Sequence, residues 1–368
     1  MTLPRSARRA ACFALILALL SATAPAADPA PPPAAKWDPT RITTPEDLAE
    51  LKSLQATVKG VVDKCTPATV AILVDGAAGS GVIVSEDGLV LTAAHVIRDY
   101  ERPKKGADEG KAKPFTSGKK VTIQLPDGTT VDGKTLGIHG GDMMSFPFEY
   151  DSGMVQITTK GPNNGKWPFA PIAKAGTAQK GQWVVALGHP NGPKAGRVPV
   201  ARLGRVLAAS KSLLRTDCTI VGGDSGGPIF DLNGNVIGIT SRMHFPFSMA
   251  HNIHVPIDHF HTDWDKLLAG DWVDKPAPKS GGAYLGVQFP DDEEDDAWLR
   301  DVFEGPAEKA GLKAGDTITK FNETVVKSVK QVRKLLDSAK PGDKVKFTVR
   351  RGTTISTMTV TLGEKGKS

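Results

Sequence analysis

Gly222-Gly223-Asp224-Ser225-Gly226-Gly227-Pro228 places a serine in a backbone built to turn sharply. A serine hydroxyl attacks a carbonyl only when a base removes its proton and donors receive the oxyanion that forms. Glycines on both sides let the N–H groups of Gly223 and Ser225 point into one small space. The same string also fits a tight surface turn, or the G-x-S-x-G elbow of an α/β-hydrolase.

The segments around it separate these readings. Gly81-Val82-Ile83-Val84 and Leu89-Val90-Leu91, joined by the turn Ser85-Glu86-Asp87-Gly88, read as a hairpin that ends at His95. Asp151 opens an alternating strand through Val155 and Ile157, which favours it over Asp142 in Gly140-Gly141-Asp142. The chain order is therefore His, Asp, Ser, whereas an α/β-hydrolase runs Ser, acid, His and leads from its serine into a helix. Here Ser225 leads through Ile229-Phe230 and the turn Asp231 to Asn235 into the strand Val236 to Thr240. That order and setting fit the double β-barrel solution to the same geometry.

Ser80 to Gly88, Thr92 to Val96, Asp151 to Ile157, Ala186 to Pro190 and Thr216 to Ile239 together resemble the HtrA/Deg family of trypsin-like serine proteases, over roughly residues 58–260. A second block, from Tyr284-Leu285-Gly286-Val287 to Val360, resembles a PDZ domain, the module that follows the protease in that family. The resemblance implies a mostly β chain, with a trypsin-like double β-barrel followed by a PDZ (α+β) domain. It implies Ser225 as nucleophile, His95 as general base and then acid, and Asp151 as the group that fixes the imidazole tautomer. The oxyanion hole is then the N–H pair of Gly223 and Ser225. Thr219 falls near the base of the first side-chain pocket, with Ile239, Thr240 and Ser241 as walls and Arg242 close enough to reach in. No carboxylate stands at that base, so a small or medium aliphatic residue is the expected preference.

Two departures from the family stand out. Gly153 occupies a position that is usually alanine, and Asp224 one that is commonly asparagine. Asp224 matches digestive trypsin-like proteases, in which the aspartate pairs with a new N-terminal amine after cleavage. No activation site of that kind opens the domain here, so Asp224 needs another partner or remains at the surface. In the second block, Tyr284, Leu285, Gly286 and Val287 resemble the loop and strand that capture a peptide C-terminus by β-augmentation. Ser328 is placed to cap a helix whose Val329, Val332 and Leu336 face that groove.

Composition agrees with two globular domains of many short strands. The formal charge of +6 includes Arg5, Arg8 and Arg9 of a leader, and removing them halves the excess. What remains is too small and scattered for a nucleic-acid footprint. Lys104 to Lys120 reads as a solvated insertion, and Arg98 to Lys120 and His139 to Glu149 as expanded loops bordering the cleft. Residues 1–26 have the basic start, short apolar core and small-residue cleavage pattern of a signal peptide, so export to the periplasm or outside the cell is expected. Residues 27–43 read as a Pro/Ala-rich linker. Residues 44–268 form the protease domain with an N-terminal helix, 269–282 a linker and 283–364 the PDZ domain.

Thr44 is the expected cap of that first helix, with Pro45 at its first position and Leu48, Leu51, Leu54, Val58, Val61 and Val62 on one apolar face. Cys65 and Cys218 fit either a disulfide or two buried thiols. His251, His254, His259 and His261 cluster, yet without paired cysteines they read as structural, so neither metal nor cofactor is expected. The acidic run Asp291 to Asp296 reads as a solvated loop. The expected function is a serine endopeptidase of the cell envelope that degrades unfolded or damaged polypeptides, with peptide C-termini as PDZ partners. The family also implies a homotrimer or other homo-oligomer. The rival reading is a PDZ scaffold or chaperone-like binding protein whose barrel has lost turnover.

Overall fold

The computed structural model describes residues 36–98, 115–140, 151–244, 251–274, 282–289 and 296–364. Within 141–150 lies Asp142, and the leader, most of both expanded loops and most of the acidic run also fall outside the described residues.

The chain enters through α1 (Leu48–Cys65). Its cap is Asp47 and not Thr44: the Asp47 carboxylate accepts from the Glu50 N–H at 2.8 Å, while Glu50 reaches back to the Glu46 N–H at 2.8 Å. This reciprocal satisfaction of free helix donors starts the helix after Pro45. Leu54, Val61 and Cys65 are buried, but Leu48 and Leu51 remain exposed, so the apolar face is used only over its C-terminal part.

The first barrel contains β1 (Thr69–Val74), β2 (Ala77–Ile83) and β3 (Leu89–Ala93), then the one-turn α2 (Ala94–Ile97). β4 (Lys120–Gln124), β5 (Thr130–Gly140) and β6 (Ser152–Ile157) complete it, and β6 closes the ring by pairing with both β3 and β5. The β2–β3 hairpin forms as its two apolar runs and the turn between them require, with Val82 opposite Leu91.

The second barrel is a closed ring of β7 (Trp183–Gly188), β8 (Val200–Ala209), β9 (Leu214–Thr216), β10 (Pro228–Asp231), β11 (Val236–His244) and β12 (His251–Pro256). α3 (Ile257–Ala269) follows, and β13 (Trp272–Asp274) adds to the first barrel in parallel with β5. Part of the segment expected to be linker is therefore strand, because Trp272 to Asp274 find unpaired backbone along β5. One hydrophobic core runs through both barrels, joining Val90, Leu91 and Met154 to Leu187, Phe230, Ile239 and Phe260.

The C-terminal region has its own core around Leu299, Ile318, Val329, Val332 and Phe347. Its elements are β14 (Ala283–Tyr284), β15 (Val287–Gln288), β16 (Asp301–Val302), α4 (Pro306–Lys309), β17 (Thr317–Phe321), β18 (Thr324–Val325), α5 (Val329–Ser338), β19 (Lys344–Arg351), β20 (Thr354–Thr361) and β21 (Gly363–Glu364). Ser328 does sit at the N-cap of α5, although its hydroxyl makes no capping bond.

Cys65 and Cys218 are both free and buried, and burial pushes each thiol up to about 11.

Candidate active site

The end of β3 and the start of β6 pair antiparallel, with Ala93 opposite Ser152, which brings α2 beside Asp151. The Asp151 carbonyl accepts from the Ala94 N–H at 2.8 Å and its Oδ1 from the His95 N–H at 2.9 Å. Its Oδ2 lies 2.8 Å from His95 Nδ1. Asp151 therefore holds both the backbone and the ring of His95, leaving Nε2 as the outward nitrogen.

Asp151 also accepts from the Ser241 hydroxyl, and Arg242 Nη2 lies 3.6 Å from Oδ2. The carboxylate is 2% exposed. Burial alone pushes its pKa up, but the charge and bond of His95, with Arg242 and Ser241 behind them, hold it below the ordinary carboxylate range.

Ser225 arrives from the second barrel. Its hydroxyl donates to the Ser241 carbonyl at 3.2 Å. Ser241 thus touches Asp151 through its side chain and Ser225 through its backbone, so the three separated residues meet in one cluster. Ser225 does not bond His95 in this geometry; its side chain is turned toward β11.

The Ser225 loop is fixed against β2. Ser80 donates its N–H to the Ser225 carbonyl at 2.7 Å and its hydroxyl to the Gly223 carbonyl at 2.8 Å. The Ser80 hydroxyl also accepts from the His189 N–H at 2.9 Å, so one buried serine ties both barrels together. Gly223 has φ +93°, a left-handed conformation that side-chain-bearing residues rarely adopt. A Cβ there would also lie 2.5 Å from the His189 carbonyl. Among the described residues the Gly223 and Ser225 N–H groups have no acceptor, as an oxyanion hole requires.

The pocket residues fare differently. Thr219 is exposed, but Ile239 is fully buried in the shared core, and Thr240 and Ser241 are 2% and 1% exposed. Ile239 is therefore packing and not a pocket wall, and Ser241 belongs to the Asp151 environment. In the C-terminal region Tyr284 and Val287 are half-buried, and Leu285 and Gly286 are buried. The carbonyl of Leu285 accepts from Ala307 N–H at 2.9 Å and that of Gly286 from Phe303 N–H at 2.9 Å, which fixes this loop from behind. Val329 and Val332 are fully buried, so they belong to the core and do not line a groove; Leu336 alone of the three is half-buried. Among the described residues no cluster of histidine, cysteine and carboxylate groups has metal-site geometry.

Sequence reasoning missed Ser80, the bonding role of Ser241, and Arg202. Arg202 on β8 meets Asp224, with Nη1 3.1 Å from Oδ1 and Nη2 3.0 Å from Oδ2. Only the odd identity of Asp224 signalled that such a partner was needed.

Residues 79–239 match the trypsin-like peptidase domain family, and 283–362 the PDZ domain family. The chain is 29% identical over 311 residues to a probable periplasmic serine endoprotease DegP-like of Brucella suis, covering 79% of this chain and 54% of that one. A putative serine protease HhoA of Synechocystis is 27% identical, over 77% of this chain and 69% of its own. The chain thus spans about half the length of the Brucella relatives it matches. A solved serine endoprotease of Yersinia pestis aligns with TM-score 0.44 at 23% identity, over 83% of this chain and 97% of its own.

Proposed function

We propose that this chain, with a trypsin-like peptidase domain followed by a PDZ domain, is a serine endopeptidase of the HtrA/Deg kind in the periplasm or cell envelope. The observation that carries the proposal is the buried Asp151–His95 pair joined through Ser241 to Ser225.

The chemistry follows from that cluster. Rotation of the Ser225 side chain away from the Ser241 carbonyl brings its hydroxyl toward His95 Nε2, and apo hydrogen bonds commonly tighten in this way when substrate binds. His95 takes the proton as Ser225 Oγ bonds to the scissile carbonyl carbon. The Asp151 carboxylate keeps the other ring proton on Nδ1 and stabilises the imidazolium. The Gly223 and Ser225 N–H groups receive the oxyanion. His95 then returns the proton to the leaving amine, and water repeats the sequence on the acyl-enzyme.

The proposed substrates are unfolded or damaged envelope proteins, because only an extended chain threads a cleft between two barrels. The C-terminal region binds peptide C-termini at Tyr284 to Val287, and a leader over residues 1–26 directs export. A homotrimer or other homo-oligomer belongs to the same proposal and is read by analytical ultracentrifugation.

Casein hydrolysis and fluorophosphonate labelling, each compared with Ser225→Ala, test the proposal. Cleavage and labelling by the parent alone support it. The turned-away Ser225 hydroxyl favours the second reading, a PDZ scaffold without turnover, and equal inactivity of parent and variant would establish that instead.

A further inference from the structure

Asp224 is the most unusual group near the serine. It is a carboxylate, 2% exposed, one residue before Ser225. Its surroundings offer it a backbone donor and a counter-charge. The Val221 N–H donates to Oδ2 at 2.9 Å, and Arg202 adds its two-pronged contact from β8. Arg202 is itself only 17% exposed, so the pair is screened from water on both sides. Directly beneath, a Cβ at Gly188 would lie 2.6 Å from Asp224 Oδ1, so the glycine is what admits the carboxylate. Arg197 supports the neighbouring turn by donating to the Pro190 carbonyl at 2.6 Å. That turn packs against Gly223, whose Cβ position lies 2.6 Å from the Gly192 nitrogen.

We propose that Arg202 is a built-in activator: it occupies the role that a newly cut N-terminal amine plays in digestive proteases, holding Asp224 and so the Val221–Ser225 loop in its donor-ready shape without activating cleavage. The inference rests on the endopeptidase reading for its functional consequence. A guanidinium suits the task, because its planar fork matches both carboxylate oxygens and fixes the direction as well as the charge of Asp224. Losing it leaves a buried charge unpaired, and the loop relieves that cost by swinging Asp224 outward, which turns the Gly223 and Ser225 N–H groups away from the oxyanion. Arg202 is a positioning residue, acting through Asp224 and touching no substrate.

The test combines kinetics with a readout independent of turnover. Arg202→Met is expected to lower kcat on a peptide substrate by about a hundredfold, the loss typical of a misaligned oxyanion donor, with KM within about threefold of the parent. The double variant Arg202→Met/Asp224→Asn removes both charges and keeps an acceptor for the Val221 N–H; it is expected to recover kcat to within about tenfold of the parent. In a Ser225→Ala background, hydrogen exchange over 219–227 is expected to rise with Arg202→Met and return with the double change.

Parental kcat and exchange in Arg202→Met overturn the proposal. So does a double variant as impaired as the single, since the arginine would then act by packing. So does fluorophosphonate labelling confined to chains cut within 36–268. If Arg202→Met does not fold, Arg202→Lys, which keeps charge but not the fork, is expected to lose about tenfold in kcat at unchanged Tm, and parental kcat there overturns the claim. Should the parent prove inactive, the endopeptidase reading fails, while the exchange experiment still reads what Arg202 does to the loop.

Discussion

The peptidase and PDZ regions each contain a buried aspartate gripped by an arginine fork, and the two pairs behave oppositely. Asp316 accepts from the Lys313 N–H at 2.9 Å, as Asp224 accepts from Val221, and Arg351 reaches it with Nε 2.6 Å from Oδ1 and Nη2 2.8 Å from Oδ2. Arg351, however, is 42% exposed where Arg202 is 17% exposed. Burial raises the pKa of Asp224 in spite of the Val221 bond and Arg202. Burial also acts on Asp316, but the Arg351 bond and the Lys313 N–H outweigh it and lower that pKa. The same three-part device is thus a stabilising clasp where solvent helps carry the charge. Where the barrels withhold solvent it is a tensioned support. Desolvation sets the difference, since it penalises the charged form more steeply than one partner repays.

The largest test of this division is Asp151→Asn. It is expected to cut kcat by about ten-thousandfold, through loss of the correct His95 tautomer, while peptide binding to the PDZ region measured by fluorescence titration stays at the parental value. A matching fall in peptide affinity would show that the two regions are not separate in function.

Acid should then separate their stabilities. All eight histidines precede residue 262, and the PDZ region has none. Burial lowers His189 to about 4 and His254 to about 3, so both stay neutral in the folded barrel after the unfolded chain has taken up its protons. Protons then favour the unfolded state, and peptidase stability falls as pH drops below the ordinary histidine range. The expected loss is about 2 kcal/mol per histidine at pH 5. Asp316, with its lowered pKa, keeps its contribution until pH falls through the carboxylate range. Asp224, with its raised pKa, has the opposite sign and loses stability as pH rises through that range. Domain-resolved hydrogen exchange at pH 7 and pH 5 is expected to show the peptidase region opening first; simultaneous opening contradicts the assignment of neutral histidines.

The smallest effect concerns Arg351→Met. Because Arg351 is exposed, solvent takes over much of its role at Asp316, so only a small lowering of the PDZ melting transition is expected, with kcat on a short peptide unchanged.

The hairpin ending at His95 and the strand–turn–strand after Ser225 were legible from apolar runs and turn residues, and the strand behind Asp151 from alternation, because each is decided by neighbours in sequence. The first-helix cap was misread at Thr44 because Asp47 and Glu50 satisfy each other's neighbourhood better than a hydroxyl does. Val329, Val332 and Ile239 illustrate a second limit. A residue's periodicity tells that it is buried on a face, not whether the opposing surface is core or an open groove.

Residue types and local order pointed to two β-rich units, the barrel class, and the candidate trio His95, Asp151 and Ser225. That Ser80 clamps the serine loop, that Ser241 links Asp151 to Ser225, and that Arg202 faces Asp224 became visible with the folded chain. Those contacts join strands separated by many residues, and their strength comes from exclusion of water between packed barrels, a property no stretch of chain possesses before it folds.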